Sequence, residues 1–510
     1  MRDLTELIHS LHWGKLAAAP LWEAILPHGT KMAQLFDLIS KNKSTSEGEA
    51  ATTIYGSPNE LAKLRSLKNK LKERLLEVVF LLDFQEPGYT DRQKAHLECN
   101  KRWATATTLL TKKIKTVGVE QLELMLRHTQ HFEFTELSMS AAHQLRLHYG
   151  TVGADPAKYR HYRDLYRHLQ QEWSMENEAE ELYTDLVSGY ADNEEQQKDA
   201  SKQAEAYFRR IEPHMAVSAS FRLHLTGRLL QMMIHSGRND YRTMADLCEQ
   251  ALVFFRQKPY ESYLPLQVFY YQLVVCCVQL RDFGRGRAII QQNADIYQPG
   301  TFNWFKVQEL YFLLALHTQH YDDAYDTCET TARHAGLAQQ PDNVRESWKL
   351  YEAYAILLAR VRRADRQPST KFRMAKFLNE IPTFAKDRRG MNIPVLIAQI
   401  LYDIVEKRYD ASLDRVEAVE KYTTRYLRKD EHFRSNCFLK MLVQIPEAAF
   451  HREGAARKAE RYLAQLHRMP IEIANQPHEI EIIPYEHLWE MILDSLPKQR
   501  VGKAKSPRTA

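Results

Sequence analysis

The chain has 510 residues, 44% of them hydrophobic and 26% charged, a composition that excludes an intrinsically disordered protein. Its 18 glycines and 19 prolines are too sparse for an all-β chain, which needs turn residues at short regular intervals; they suit long helices joined by short loops. A formal charge of +5 excludes a strongly basic or acidic character as a whole.

Residues 1–115 read as an N-terminal helical module. The opening segment, MRDLTELIHSLHWGKLAAAP, is interrupted by Asp3, Glu6, His9, His12 and Lys15, so it lacks the apolar run of a secretory leader. No stretch approaches the roughly 18 uninterrupted apolar residues of a membrane span. Six cysteines, Cys99, Cys248, Cys276, Cys277, Cys328 and Cys437, form no CxxC pair, which points to thiols in a reducing compartment. The expectation is a cytoplasmic protein with no membrane partner.

Within the module, Met32, Leu35, Phe36 and Ile39 give segment 30–41 a helical stripe. Ser46 and Glu49 have capping-box spacing ahead of segment 46–55, which Gly56 stops. Pro58 then opens a predicted helix over 58–83, with Leu61, Leu64, Leu67, Leu71, Leu75, Val78 and Leu82 at gaps of three or four. This layout over 30–83 is that of a helix-turn-helix. Lys63, Arg65, Lys68 and Lys72, with Lys70 and Arg74, are candidate nucleic-acid contacts from the third helix. Glu60, Glu73 and Glu77 alternate with them and weaken the field, so a solvated face opposite the leucines is the competing reading.

Residues 116–214 form a helical transition region that reads as early hairpins. Inside it, 171–206 hold eleven acids and two lysines; SMENEAEELYTDLV reads helical, ADNEEQQKD as helix or loop. His128 and His131, with Glu133 and His143 nearby, are the best-spaced metal candidates. No Cys joins them and no HExxH exists, so no metal and no cofactor are expected. His478 and His487 fare no better.

From about 215 to 477 a phrase recurs in which an aromatic residue opens a second helix after a polar turn. The phrases are NDYRTMADLCEQAL, RDFGRGRAIIQQNA, QHYDDAYDTCETTA, KRYDASLDRVEAVE and AAFHREGAARKAERYL, with Tyr241, Phe283, Tyr321, Tyr409 and Phe450 as their aromatics. Successive gaps are 42, 38, 88 and 41 residues, and the 88 fits two units with the missing member around 363–385. Each phrase follows a strongly apolar helix, such as LQVFYYQLVVCCVQL. A period near 40 is what an array of helical hairpins produces.

The phrases at Tyr321 and Tyr409 resemble the second helices of tetratricopeptide repeats, in which an aromatic and a small residue three positions on pack into the hairpin. Tyr321 with Ala324 matches; Tyr409 with Ser412 matches loosely. The sequence departs in its longer period, in lacking the W-x2-L-G-x2-Y signature, and in Gly286 following Phe283. The resemblance implies an all-α fold: a right-handed, TPR-like solenoid after the N-terminal module. It also implies a concave groove that binds a protein or peptide.

Residues 360–389 carry ten Lys/Arg against three acids. Arg362, Arg363, Arg366, Arg373, Arg388 and Arg389 therefore form a candidate partner-binding patch. HEIEIIPYEHLWEMILDSL, 478–496, reads as a capping element and 497–510 as a flexible basic tail. No G-x-S-x-G, phosphate loop or kinase set occurs, and the DFG of DFGRGRAII begins a helix within a repeat. The expected function is a non-catalytic scaffold or adaptor. The alternative is a regulator contacting DNA through 58–83, with an enzyme of unrecognised type behind both.

Overall fold

A computed structural model describes residues 1–11, 13, 21–41, 46–81, 90–188, 194–367, 372–382, 392–412, 415–416, 433–469 and 481–497. Arg388, Arg389, His478 and the tail beyond Pro497 lie outside these. Every regular element among the described residues is helical, so the all-α expectation holds. The chain divides into two compact units. The first comprises Met1–Glu178, Ala216–Leu223 and Lys258–Ser262; the second comprises Ala179–Met215, His224–Gln257 and Tyr263–Ala510.

The first unit opens with α1 (Arg2–Ser10), α2 (Leu21–Ile25), α3 (Lys31–Lys41), α4 (Glu47–Tyr55) and α5 (Leu61–Glu77), then a 3-10 turn over Val79–Leu81. The capping box is present: Ser46 Oγ accepts from Glu49 N–H at 3.2 Å while Glu49 Oε2 accepts from Ser46 N–H at 2.8 Å. Gly56 ends α4 in the left-handed region at φ +79°, a conformation glycine adopts without a Cβ penalty. α3 packs on α1, α4 and α5 around fully buried Leu35, Ile39, Ala50, Ala51, Leu64, Leu71 and Leu75. Each such leucine contributes about 2 kcal/mol of transfer free energy.

The helix expected over 58–83 is shorter than predicted. Pro58 and Asn59 form a turn closed by Glu60 N–H to Ser57 O at 3.4 Å, which holds the helix start back to Leu61.

Still in the first unit, α6 (Asp91–Thr111), α7 (Lys115–His131) and α8 (Thr135–Thr151) pack in sequence, α7 against both neighbours. Their core holds Cys99, Ala106, Leu122, Met125, Ala141 and Leu145. The chain continues through α9 (Pro156–Ser188), α10 (Glu194–Val217) and α11 (Phe221–Ser236). Within the acidic stretch, the described residues 171–188 and 194–206 are thus helical.

The helices that follow are α12 (Tyr241–Arg256), α13 (Tyr263–Leu280), α14 (Phe283–Gln292), α15 (Phe302–His317), α16 (Tyr321–Ala332), α17 (Asp342–Arg360), α18 (Met374–Glu380), α19 (Asn392–Val405), α20 (Phe433–Glu447), α21 (Arg452–Arg468) and α22 (Tyr485–Ser495). α13 packs against α12, α14 and α15, and α16 against α15 and α17. α13 has the length and apolar composition to cross a membrane, the one such helix among the described residues. Here Phe269, Tyr270, Leu273, Val274, Cys276, Cys277 and Val278 are buried among its neighbours, as in the core helix of a globular array. All six cysteines are buried and unbridged.

One turn recurs. Asn239, Arg281, Gln319, Arg362, Lys407 and Ala449 all have φ between +52° and +63°. At each, the residue's N–H bonds a carbonyl three back and the next N–H bonds one five back. In the second case these are Arg281 N–H to Val278 O at 3.2 Å and Asp282 N–H to Cys277 O at 2.9 Å. This is a Schellman helix end, and Lys113 and Glu133 repeat it in the first unit.

Asp240 and Asp282 also cap the next helix, accepting from Thr243 N–H and Arg285 N–H. Tyr241, Phe283 and Tyr321 each open a helix and are buried, with Ala324 fully so. Tyr409 opens a helical stretch and is half-buried, its ring 4.3 Å from that of Phe450. Phe450 itself sits in the turn at φ +56°, and α21 starts two residues later. The turn at Arg362 places buried Ala364 where those at Asn239, Arg281, Gln319 and Lys407 carry Tyr or Phe; the turn at Ala449 has His451 there.

α22 packs on α19 and α21. Arg434, 7% exposed, ties its approach: Nε and Nη2 donate to Glu481 at 2.8 Å, Nη2 to Glu486, and Nη1 to the carbonyls of Leu466 and Met469.

Candidate binding site

The cations singled out on α5 divide by face. Lys68 Nζ bonds Glu47 on α4, and Lys72 Nζ bonds Asp3 on α1 at 2.8 Å, so both tie the module together. These lysines hold the Glu47 and Asp3 carboxyls below their ordinary range. Lys63 pairs with Glu60 at 3.0 Å on its own helix. Arg65 and Lys70 are exposed.

In the basic stretch, Arg363 Nη2 lies 2.6 Å from Asp494 of α22. Arg366 forms a bidentate pair with Asp326 at 2.8 Å, which lowers that carboxyl's pKa. Arg362 is exposed at its turn, and Arg373 is the residue before α18. A polar row links α15 and α17. Tyr351 Oη donates to Glu309 at 2.6 Å, Lys306 to Glu309 at 2.7 Å, and Lys349 to Glu352 at 3.1 Å.

The histidine cluster disperses. His131 lies edge-on to Phe132, and His143 bonds Arg146 at 3.0 Å. His487 meets Gln319 at 3.0 Å. Among the described residues no three His, Cys, Asp or Glu side chains are placed to hold a metal ion.

Glu133 has a different role. Its carboxylate takes Lys258 Nζ at 2.7 and 2.8 Å and the N–H of Phe221, first residue of α11, at 2.7 Å. Lys258, 9% exposed, gives its third proton to Ala219 O at 2.6 Å.

These groups edge a cavity of about 270 Å³ in the first unit, lined by the α7–α8 turn, one face of α9, and residues Ala219, Ser220 and Lys258. Behind its wall, Glu176 of α9 is fully buried. Its Oε1 accepts from Thr135 Oγ1 at 2.7 Å and from Ser220 Oγ, and its Oε2 lies 3.7 Å from Arg222. Burial pushes the Glu176 pKa up, against the pull of those partners. Nearer the opening, Glu172 Oε1 accepts from Ser218 Oγ at 3.1 Å. Gln130 and His168 line the cavity and are exposed.

No family model, curated protein or solved structure matches this chain. Its chemistry rests on its own geometry.

Sequence reading missed the cavity because its parts come from four separate stretches. The one legible sign was Glu133, noted beside His131 as a metal candidate, where the partner is a lysine 125 residues away.

Proposed function

We propose that the second unit is a helical-repeat scaffold, a right-handed TPR-like solenoid whose first helices line a concave groove for a protein or peptide. The observation that carries this reading is the turn shared by Asn239, Arg281, Gln319, Arg362, Lys407 and Ala449. Units that end identically and pack on their neighbours build an extended surface by repetition. The row of Lys306, Glu309, Lys349 and Glu352, braced by the buried Tyr351, then sets the register of the bound chain through polar contacts.

Affinity capture from the native host's lysate tests it, at two salt concentrations and with and without nuclease. The expected result is one protein retained under all conditions by the wild type and by a Lys63→Glu, Arg65→Glu variant, but lost from Lys306→Glu, Lys349→Glu. Retention by that second variant would remove the groove from consideration.

A second reading is DNA contact through α5. Mutual packing of α3, α4 and α5, with a left-handed turn before α5 and exposed Arg65 and Lys70, favours it. Nuclease-sensitive recovery that falls steeply with salt would bring it forward.

A further inference from the structure

The cavity in the first unit can be read by following its protons. Ser138 Oγ donates to Thr129 Oγ1 at 2.8 Å, and Thr129 Oγ1 donates to Leu126 O at 3.1 Å. Thr135 and Ser220 both donate to Glu176 Oε1. A hydroxyl carries one proton and two lone pairs, so each of these four side chains has committed its proton to a protein acceptor and keeps only acceptor capacity.

Lys258 is likewise exhausted: its three protons go to both Glu133 oxygens and Ala219 O, and its charge is neutralised by Glu133. Glu172 still has an oxygen, Oε2, that takes no hydrogen bond from the described residues. The fixed walls are therefore rich in acceptors and poor in donors. The uncompensated charge facing the space is negative, with Leu165 and Leu169 supplying an apolar side.

We propose that this cavity receives a protonated amine, an ammonium or guanidinium group carried on a short aliphatic chain. Three or more N–H donors would meet Glu172 and the hydroxyls of Thr135, Ser138 and Ser220, while the methylenes lie on Leu165 and Leu169. An anion of the same size finds no free donor on the fixed walls and is repelled by Glu172. A volume of about 270 Å³ suits one such group with a four- to five-carbon stem. Either a free alkyl amine or the side chain of a lysine in a partner peptide presents this chemistry. The proposal does not depend on the repeat-scaffold reading, because every residue it uses belongs to the first unit.

The test is titration calorimetry and saturation-transfer NMR on the full chain with n-butylammonium, Nα-acetyl-lysine amide and, as a charge-reversed control, butyrate. Butylammonium is expected to bind and butyrate not to. Glu172→Gln, which keeps an acceptor for Ser218, should weaken binding about tenfold, as expected for the loss of one charge-assisted hydrogen bond. Gln130→Glu, at an exposed lining position, should tighten it, and decides the matter even if the first variant fails to fold. Binding of both amines assigns the cavity to a partner's lysine side chain, and binding of butylammonium alone assigns it to a free amine. No amine binding, equal binding of butyrate, or an affinity indifferent to both substitutions overturns the proposal.

Discussion

A left-handed backbone at a residue with a Cβ costs about 1 kcal/mol or more, and this chain accepts that cost at Lys113 and at the shared turns of Asn239, Arg281, Gln319, Arg362, Lys407 and Ala449. Lys113 and Lys407 are exposed. Replacing either with glycine relieves the strain, partly offset by the freedom glycine gains in the unfolded chain. Lys113→Gly and Lys407→Gly should each raise stability by up to about 1 kcal/mol in urea melts, with unchanged slope.

Gly286 obeys the opposite rule. A Cβ there would collide with Leu314 Cδ2 and lie 3.2 Å from Cys277 Cβ, so α14 needs the bare backbone to reach α13 and α15. Gly286→Val should destabilise by about 1–3 kcal/mol, read by the same melts. Gly286 stands three residues after Phe283 as Ala324 stands after Tyr321.

At the scale of elements, the sequence announced those helix starts that depend on local chemistry. Ser46 with Glu49 specified the start of α4, and the aromatics Tyr241 and Phe283, each after a polar turn, marked those of α12 and α14. Ser46→Ala should lower stability by about 1 kcal/mol in thermal melts, because Glu49 N–H loses its acceptor.

Starts governed by a competing turn were less legible, as with α5, where Ser57 and Pro58 delay a leucine periodicity that begins earlier. The turn at Arg362, at the edge of the 363–385 stretch expected to hold a further unit, carries no aromatic signal for a related reason. It is made by backbone bonds, and the buried residue two positions on is Ala364, which has no distinguishing chemistry in sequence. The cavity was invisible because pairing Glu133 with Lys258, and Glu176 with Ser220, requires knowing which distant stretches meet.

For the whole molecule, one pH dependence belongs to His317, the last residue of α15 and 2% exposed. Nε2 donates to Glu481 O at 2.9 Å and Nδ1 has no partner among the described residues. Burial first, with Arg281, His487 and Arg434 adding to it, holds its pKa at about 4, against 6.5 in the unfolded chain.

The native state therefore resists a proton that the unfolded state accepts. Stability is full above pH 6.5 and is lost as pH falls toward 4, by roughly 3 kcal/mol in total. His317→Gln, whose amide can still donate to Glu481 O, should flatten this part of the profile. Urea melts at pH 7.0, 5.5 and 4.5 measure it, and an unchanged slope in the variant would place the dependence elsewhere.

Glu133 and Lys258 meet across 125 residues, and the unit they close is stitched from three stretches of chain ending at Ser262. On the ribosome, that unit cannot finish until the segment carrying Lys258 has left the exit tunnel. By then α10 and α11 already exist and must wait for, or fold ahead of, the parts they interrupt. A fragment cut at Glu178 would leave Glu133 without Lys258 and the Phe221 N–H, and Glu176 without Arg222 and the Ser220 hydroxyl. Dissecting this protein at apparent boundaries should thus yield an aggregation-prone first half, whereas a fragment ending just past Ser262 retains the full set of partners.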